Sequence, residues 1–263
     1  MKRWAISLGN AAAVFAALLL LWQTIIWIFH VAPYMLPAPV AVLEALVSRR
    51  ALLLGAFSIT AQEAAGGLAF SIAAGIAVAL IFAQSRWLRH MLFPYTLLLQ
   101  TVPIIAVSPL ILMWVGAGMP AVTLIAFIIS LAPIIANTTQ GLISVDEGLV
   151  QLFLMYGASP AQLLFKLRLP SAVPSLFVGI RIASGLAVIG AITGELYAGS
   201  SRVGQGGLGY SILYASTQLQ TDYLFALVAA ATLLGFGFVF AVMFLEWYFL
   251  HRWHASARRL EAD

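Results

Sequence analysis

The sequence predicts an all-α fold, a polytopic bundle of membrane-crossing helices. Three observations carry that expectation. Hydrophobic residues fill 63% of the 263 positions. Charged residues make up 8%, against roughly 25% in soluble domains. The apolar residues also gather in runs long enough to cross about 30 Å of hydrocarbon at about 1.5 Å per helical residue. A soluble fold of this make-up has more apolar surface than it can bury, whereas lipid accepts an apolar exterior once backbone hydrogen bonds are closed within helices.

Six runs qualify: 5–29, roughly 61–82, 91–115, 121–138, 176–196 and 223–250. The first follows Lys2 and Arg3 as a secretory signal would, but it far exceeds the apolar core of about 7–15 residues found in one. It is expected to stay as the first span. The second begins indistinctly, because the apolar stretch from Ala51 is dotted with Ser58, Thr60, Gln62 and Glu63. Its opening part is expected to lie along the membrane surface. In the third, Pro103 frees a carbonyl and bends the helix, and the fourth is expected to end in water at 137–140. Gly179, Gly185 and Gly190 in the fifth, like Gly66, Gly67 and Gly75 in the second, read as small residues that let helices approach. Trp22, Trp27, Trp87, Trp247, Tyr248 and Trp253 suit the interface.

Basic residues orient the bundle, since short cytoplasmic loops carry excess Lys and Arg. With the amino terminus inside, that side holds Lys2, Arg3, Arg86, Arg89, Lys166, Arg168, Arg252, Arg258 and Arg259, with Arg181 near the entrance of the fifth span. The other side keeps Arg49, Arg50 and Arg202. Both termini are therefore expected in the cytoplasm. The basic tail reads as an anchor for the last helix, and no nucleic acid is expected as a partner.

Several chemistries are excluded. The chain has no cysteine, hence no disulfide, thiolate metal site or cysteine nucleophile. Of four histidines only His251 and His254 fall at helical spacing, and no zinc pattern joins them, so no metal site is expected. Gly204 to Gly209 is glycine-rich but lacks the lysine and the strand-to-helix setting of a nucleotide loop. The acidic residues are sparse and scattered, with no catalytic constellation. No catalytic residue and no directly bound cofactor are expected.

One polar interruption stands out, residues 141–170. Asp146 and Glu147 suit the first turn of a helix. Gly157 permits a sharp change of direction, and Ser159-Pro160 reads as a cap and first helical residue. Leu163, Leu164 and Leu167 recur at helical spacing, and Leu169-Pro170 with Pro174 is expected to interrupt the helix before the fifth span. The result is a short helical hook suited to a groove on another protein.

Gly157, Leu167, Leu169 and Pro170 fall in the pattern G-x9-L-x-L-P. The chain thereby resembles the integral membrane permeases of binding-protein-dependent ABC importers, whose hallmark is E-A-A-x3-G-x9-I-x-L-P. Gln151-Leu152-Phe153 replaces the opening triad. The likeness runs nearly end to end: Leu36-Pro37 with Pro39; Thr60, Glu63, Ala64 and Gly67; Pro103 and Pro109 ahead of Trp114-Val115-Gly116; Gly157-Ala158-Ser159; residues 169–174; and Glu195 with Gly207-Leu208-Gly209. It is similar to the subgroup importing nitrate, aliphatic sulfonates, taurine, and precursors of thiamine and riboflavin.

The resemblance implies one permease domain over 1–263, with 141–170 as a cytoplasmic coupling segment in a bacterial inner membrane. Gly157, Ala158, Ser159, Leu163, Leu164, Leu167, Leu169 and Pro170 would couple to a cytoplasmic ATPase dimer that binds ATP and Mg. A second permease subunit, expected to be identical, and an extracytoplasmic substrate-binding protein complete the implied assembly. The implied solute is a small organic or heterocyclic compound, a vitamin precursor or a sulfonate, with nitrate or a related anion as the alternative. Tyr95, Gln100, Thr101 and Glu63 are pore-lining candidates, although Glu63 reads more readily as a helix-to-helix hydrogen bond. Glu195 is the outer-gate candidate, braced there or paired with Arg202. A secondary transporter is disfavoured, because no two-halved repeat is visible.

Overall fold

The computed structural model describes residues 2–198 and 206–251, with residues 2–12 as backbone alone. All regular structure among them is helical. In chain order the elements are α1 (Lys2–Phe29), α2 (Pro39–Ser48), α3 (Arg50–Gln84) and α4 (Arg86–Leu98), followed by a 3-10 turn (Leu99–Thr101). Then come α5 (Ile104–Val115), α6 (Met119–Ile143), α7 (Glu147–Met155), α8 (Pro160–Leu163) and a π turn (Leu164–Arg168), and finally α9 (Leu169–Ala198), α10 (Leu208–Thr217) and α11 (Thr221–Leu250).

Among the described residues, four stretches are long and apolar enough to cross a membrane: α3, α6, Pro160–Ala198 and α11. The bent pair formed by α4 and α5 makes a fifth. The described part of α1, Ala13–Phe29, is a shorter apolar helix, so a count of six is reached only with α1 taken over its whole length.

The helix boundaries differ from expectation in three places, each for a local reason, and the bend expected at Pro103 is present. α3 is continuous from Arg50, so residues 51–60 do not lie along the surface as a separate helix. Ser58 and Gln62 satisfy themselves on their own helix, donating to the carbonyls of Gly55 at 2.8 Å and Ser58 at 3.1 Å, and need no exit to water. The third run breaks into α4 and α5 with a 98° bend, because Pro103 forces Val102 into an extended conformation, φ −63° and ψ 122°.

α6 runs past its expected end to Ile143. Asn137 donates back to the carbonyl of Pro133 at 2.8 Å and Thr138 and Thr139 are buried, so the helix continues through them, while Gln140 is exposed and lines a groove with Arg89 and His90. Finally, the chain stays helical through Pro170 and Pro174. The π turn just ahead of Pro170 widens the ladder where proline cannot donate, so the helix runs on without ending.

The core is a layer of three helices with α6 between α3 and α9. Glycines set their spacing. A Cβ on Gly67 would lie 2.6 Å from Ala126 Cβ, and one on Gly190 would lie 2.9 Å from Ala126 Cα. Side chains that size would force the helices apart. Ser71 and Ser130 stitch the same seams, donating to the carbonyls of Phe127 at 2.8 Å and Ala183 at 3.2 Å. α11 covers α9 from the other side. The bundle thus has an elbow end, where α7 and α8 project, and a far end, where α9 hands over to α10.

Candidate functional site

The elbow is built by caps that follow one another in sequence. Asp146 Oδ1 accepts from Leu149 N at 3.1 Å to start α7. Gly157, at φ +72°, ends it: Gly157 N and Ala158 N donate to the carbonyls of Leu154 at 2.9 Å and Phe153 at 3.0 Å. That is a left-handed closure which glycine adopts at least cost. Ser159 and Gln162 then form a reciprocal capping box, with Ser159 N donating to Gln162 Oε1 at 2.8 Å and Gln162 N donating to Ser159 Oγ at 3.2 Å. Arg168 donates to the carbonyl of Ala83 at 3.3 Å, which ties the elbow to the closing turn of α3, where a cation suits the helix dipole.

The apolar residues of the elbow divide between two faces. Leu167 is buried, while Leu164 and Leu169 pack against a cluster that includes Ala79, Leu142 and Ala172. Leu163 is half-buried beside them. Leu164, Leu167 and Leu169 hold the elbow to its own bundle, while Leu163 and Leu164 also line an open groove of about 610 Å³ with Pro160, Phe165 and Arg168. The outward face comes from α7 and its exit: Met155 is 84% and Tyr156 85% exposed, with Leu149, Leu152 and Phe165 also open. A groove of about 290 Å³ runs beside them, lined by Leu152, Phe153, Tyr156, Ala158, Gln162 and Lys166. The signal was present in the sequence, since Leu149, Leu152, Phe153 and Tyr156 follow helical spacing.

At the far end the structure joins two motifs that are far apart in sequence. Thr60 and Glu63 from α3 and Glu195 from α9 are all buried. Thr60 Oγ1 lies 2.7 Å from Glu195 Oε1, to which it donates, and accepts from Leu208 N at 2.8 Å. Glu195 Oε2 accepts from Gly209 N at 2.5 Å, and the Glu63 carboxyl stands beside that of Glu195. α10 has no side-chain cap from its own N-cap residue, Gly207. Its first N–H groups are capped by the two neighbouring spans. A Cβ on Gly207 would lie 1.9 Å from Glu195 Oε1, so only glycine fits. Arg202, the expected partner of Glu195, lies outside the described residues.

The pore-lining candidates separate. Tyr95, Gln100 and Thr101 are exposed near the α4–α5 bend, with the Thr101 hydroxyl donating to the carbonyl of Leu98 at 2.8 Å. Glu63 is 3% exposed and faces α9, not an open path. Its neighbour Gln62 lines an open groove of about 820 Å³ between α3 and α6, together with Phe70, Met119, Thr123 and Phe127. Among the described residues no metal-binding group of His, Cys, Asp and Glu occurs, and His254 lies outside them.

Residues 71–254 match the family described as the binding-protein-dependent transport system inner membrane component. This chain belongs to that family. The riboflavin transport system permease protein RibX of Chloroflexus aurantiacus is 33% identical over 91% of this permease and 88% of its own length. The formylaminopyrimidine transport permease protein ThiX of Halalkalibacterium halodurans is 32% identical over 77% of this chain and 80% of its own. A solved chain of the inward facing MetNI methionine ABC transporter superposes with a TM-score of 0.63 at 20% identity, covering 76% of this permease and 96% of that chain. That likeness shows a shared fold.

One charged pair was not legible in the permease sequence. Arg181 and Glu246 form an ion pair between α9 and α11. Arg181 therefore lies within α9, not at its entrance, and its charge is matched by a carboxylate from the neighbouring span, as a charge at this depth requires.

Proposed function

We propose that this permease forms the translocation path of an ATP-driven importer for a small organic or heterocyclic solute, a vitamin precursor or a sulfonate. The elbow lies in the cytoplasm of a bacterial inner membrane with both termini beside it, and a separate ATPase dimer, holding ATP and Mg, grips it. A second, identical permease completes the path, and an extracytoplasmic binding protein delivers the solute.

The observation that carries this reading is the elbow itself. A self-capped unit presents Met155, Tyr156 and Leu152 to water, and surface of that kind is expected where a partner covers it. The names of the relatives, riboflavin and formylaminopyrimidine permeases, support a heterocyclic solute. So does the α3–α6 groove, whose lining has one amide, Gln62, and no charged side chain.

The test is reconstitution of the permease with its ATPase and binding protein in vesicles, followed by ATP-dependent uptake from a panel of riboflavin, an aminopyrimidine, taurine and nitrate. Uptake of the heterocycles is the expected result, and uptake of nitrate alone would overturn the solute assignment. Gly157→Val, which forces a β-branched residue into φ +72°, is expected to leave the protein in the membrane while separating ATP hydrolysis from uptake. Normal coupled uptake by that variant would remove Gly157 from the coupling role.

A further inference from the structure

Resting on the import reading, which puts the elbow end in the cytoplasm, we propose that the groove between α4 and α6 at that end binds the phosphate of an anionic phospholipid from the inner leaflet.

The groove, of about 270 Å³, is lined by two kinds of residue. Arg89, His90 and Gln140 are polar, while Phe93, Pro94 and Ile143 are apolar. On α4 the two kinds are ordered along the helix: Arg86, Arg89 and His90 come first, and Met91, Leu92 and Tyr95 follow as exposed apolar side chains. Trp87, 67% exposed among the basic residues, suits the membrane-water boundary. A molecule that matches both kinds carries a negative head on an apolar body. Basic pockets between spans on the cytoplasmic side take phospholipid head groups in this way.

The protein supplies no anion of its own to this charge. Arg86 and Arg89 stand in the first turn of α4 with no acidic residue among them, so they face the positive end of the helix dipole, where cations are disfavoured. Arg49, Arg168 and Arg181 each donate to an acceptor elsewhere in the chain. Arg89 has no such acceptor among the described residues, whose ion pair, Arg181 with Glu246, lies on other helices.

A second, independent observation comes from α6. Thr139 lines the same groove at 1% exposure, and its Oγ1 has no hydrogen-bond partner among the described residues. A helical threonine can close its hydroxyl on the carbonyl one turn back, as Thr60 does onto Ala56 and Thr232 onto Val228. Thr139 does not, and a buried hydroxyl left over is costly. A phosphate oxygen supplies the acceptor it lacks. Bound there, the lipid joins α4 to α6 shortly after Ala83, whose carbonyl anchors the elbow through Arg168.

The complex with its ATPase is placed in nanodiscs of phosphatidylglycerol and phosphatidylcholine in equal parts, and native mass spectrometry counts the lipids it retains on release. Preferential retention of phosphatidylglycerol is the expected result, and Arg89→Gln is expected to lower that preference about tenfold, as for one charge-assisted contact. Thr139→Val, which keeps shape but loses the hydroxyl, should lower it about threefold. Arg50→Gln removes the same charge at the far end and should leave it unchanged. Gln140→Ala, at an exposed position, carries the test with a smaller loss if Arg89→Gln fails to accumulate in the membrane.

Equal retention of the two lipids, or a preference that both groove variants leave intact, would overturn the site. Inorganic phosphate that erases the preference when added in excess would reassign the groove to free phosphate and overturn the lipid. A preference shown by the permease alone and lost in the complex would make the groove a contact with the ATPase, and overturn it equally. A permease that binds no ATPase and stimulates no hydrolysis, whatever lipid it retains, would instead overturn the import reading and the side of the membrane given to the groove.

Discussion

The N-termini of α8 and α10 are capped in opposite ways. α8 takes its cap from Ser159 and Gln162, three residues apart and open to water. α10 takes its cap from Thr60, 148 positions from Leu208, and from Glu195, 14 positions from Gly209, all of them buried. The first cap can form in an isolated segment. The second exists only after α3, α9 and α10 have come together. The α8 cap is therefore local and self-sufficient, while the far end is a junction whose integrity reports the arrangement of the whole bundle.

Matched substitutions at the two ends sharpen that contrast, each read by the melting temperature of the purified permease in detergent. The largest effect is expected for Gly207→Ala, whose Cβ would fall 1.9 Å from Glu195 Oε1. It is expected to cost about 3 kcal/mol through overpacking. Next comes Thr60→Val, which leaves Leu208 N–H and Glu195 without their buried partner, at about 2 kcal/mol. Gly157→Ala meets no atom within 4 Å and bears only the strain of φ +72°, about 1 kcal/mol. Ser159→Ala should be mildest, about 0.5–1 kcal/mol, because water takes over the exposed cap. If Ser159→Ala proved as damaging as Thr60→Val, the distinction between a local and an assembled cap would fail.

The same distinction explains how much could be read in advance. The all-helical membrane fold, the turn at Gly157 and the Ser159 cap were legible because each is a pattern within a few residues. Apolar run length, φ preference and cap spacing are all local. Glu63 was recognised as a costly polar group, but its neighbour was not, since nothing in the sequence brings positions 63 and 195 together. Arg181 and Glu246 went unpaired for the same reason. The exposed face of α7 was a different kind of miss. Its periodicity is visible in the sequence, but nothing local tells which apolar residues the bundle will cover, and Leu167 is among those it buries. α10 begins in a glycine-rich stretch, and the neighbours that crowd Gly207 there, Glu195 and Thr60, are brought beside it only by the fold.

The unbroken run from Pro160 to Ala198 has a mechanical corollary. At about 1.5 Å per residue it is roughly 58 Å long, and it packs on α6 along most of that length, from Ala172 and Ser175 beside Gly141 to Gly194 beside Val122. A helix gripped along its length cannot rock about one point, so a push at one tip is shared with α6 before it reaches the other.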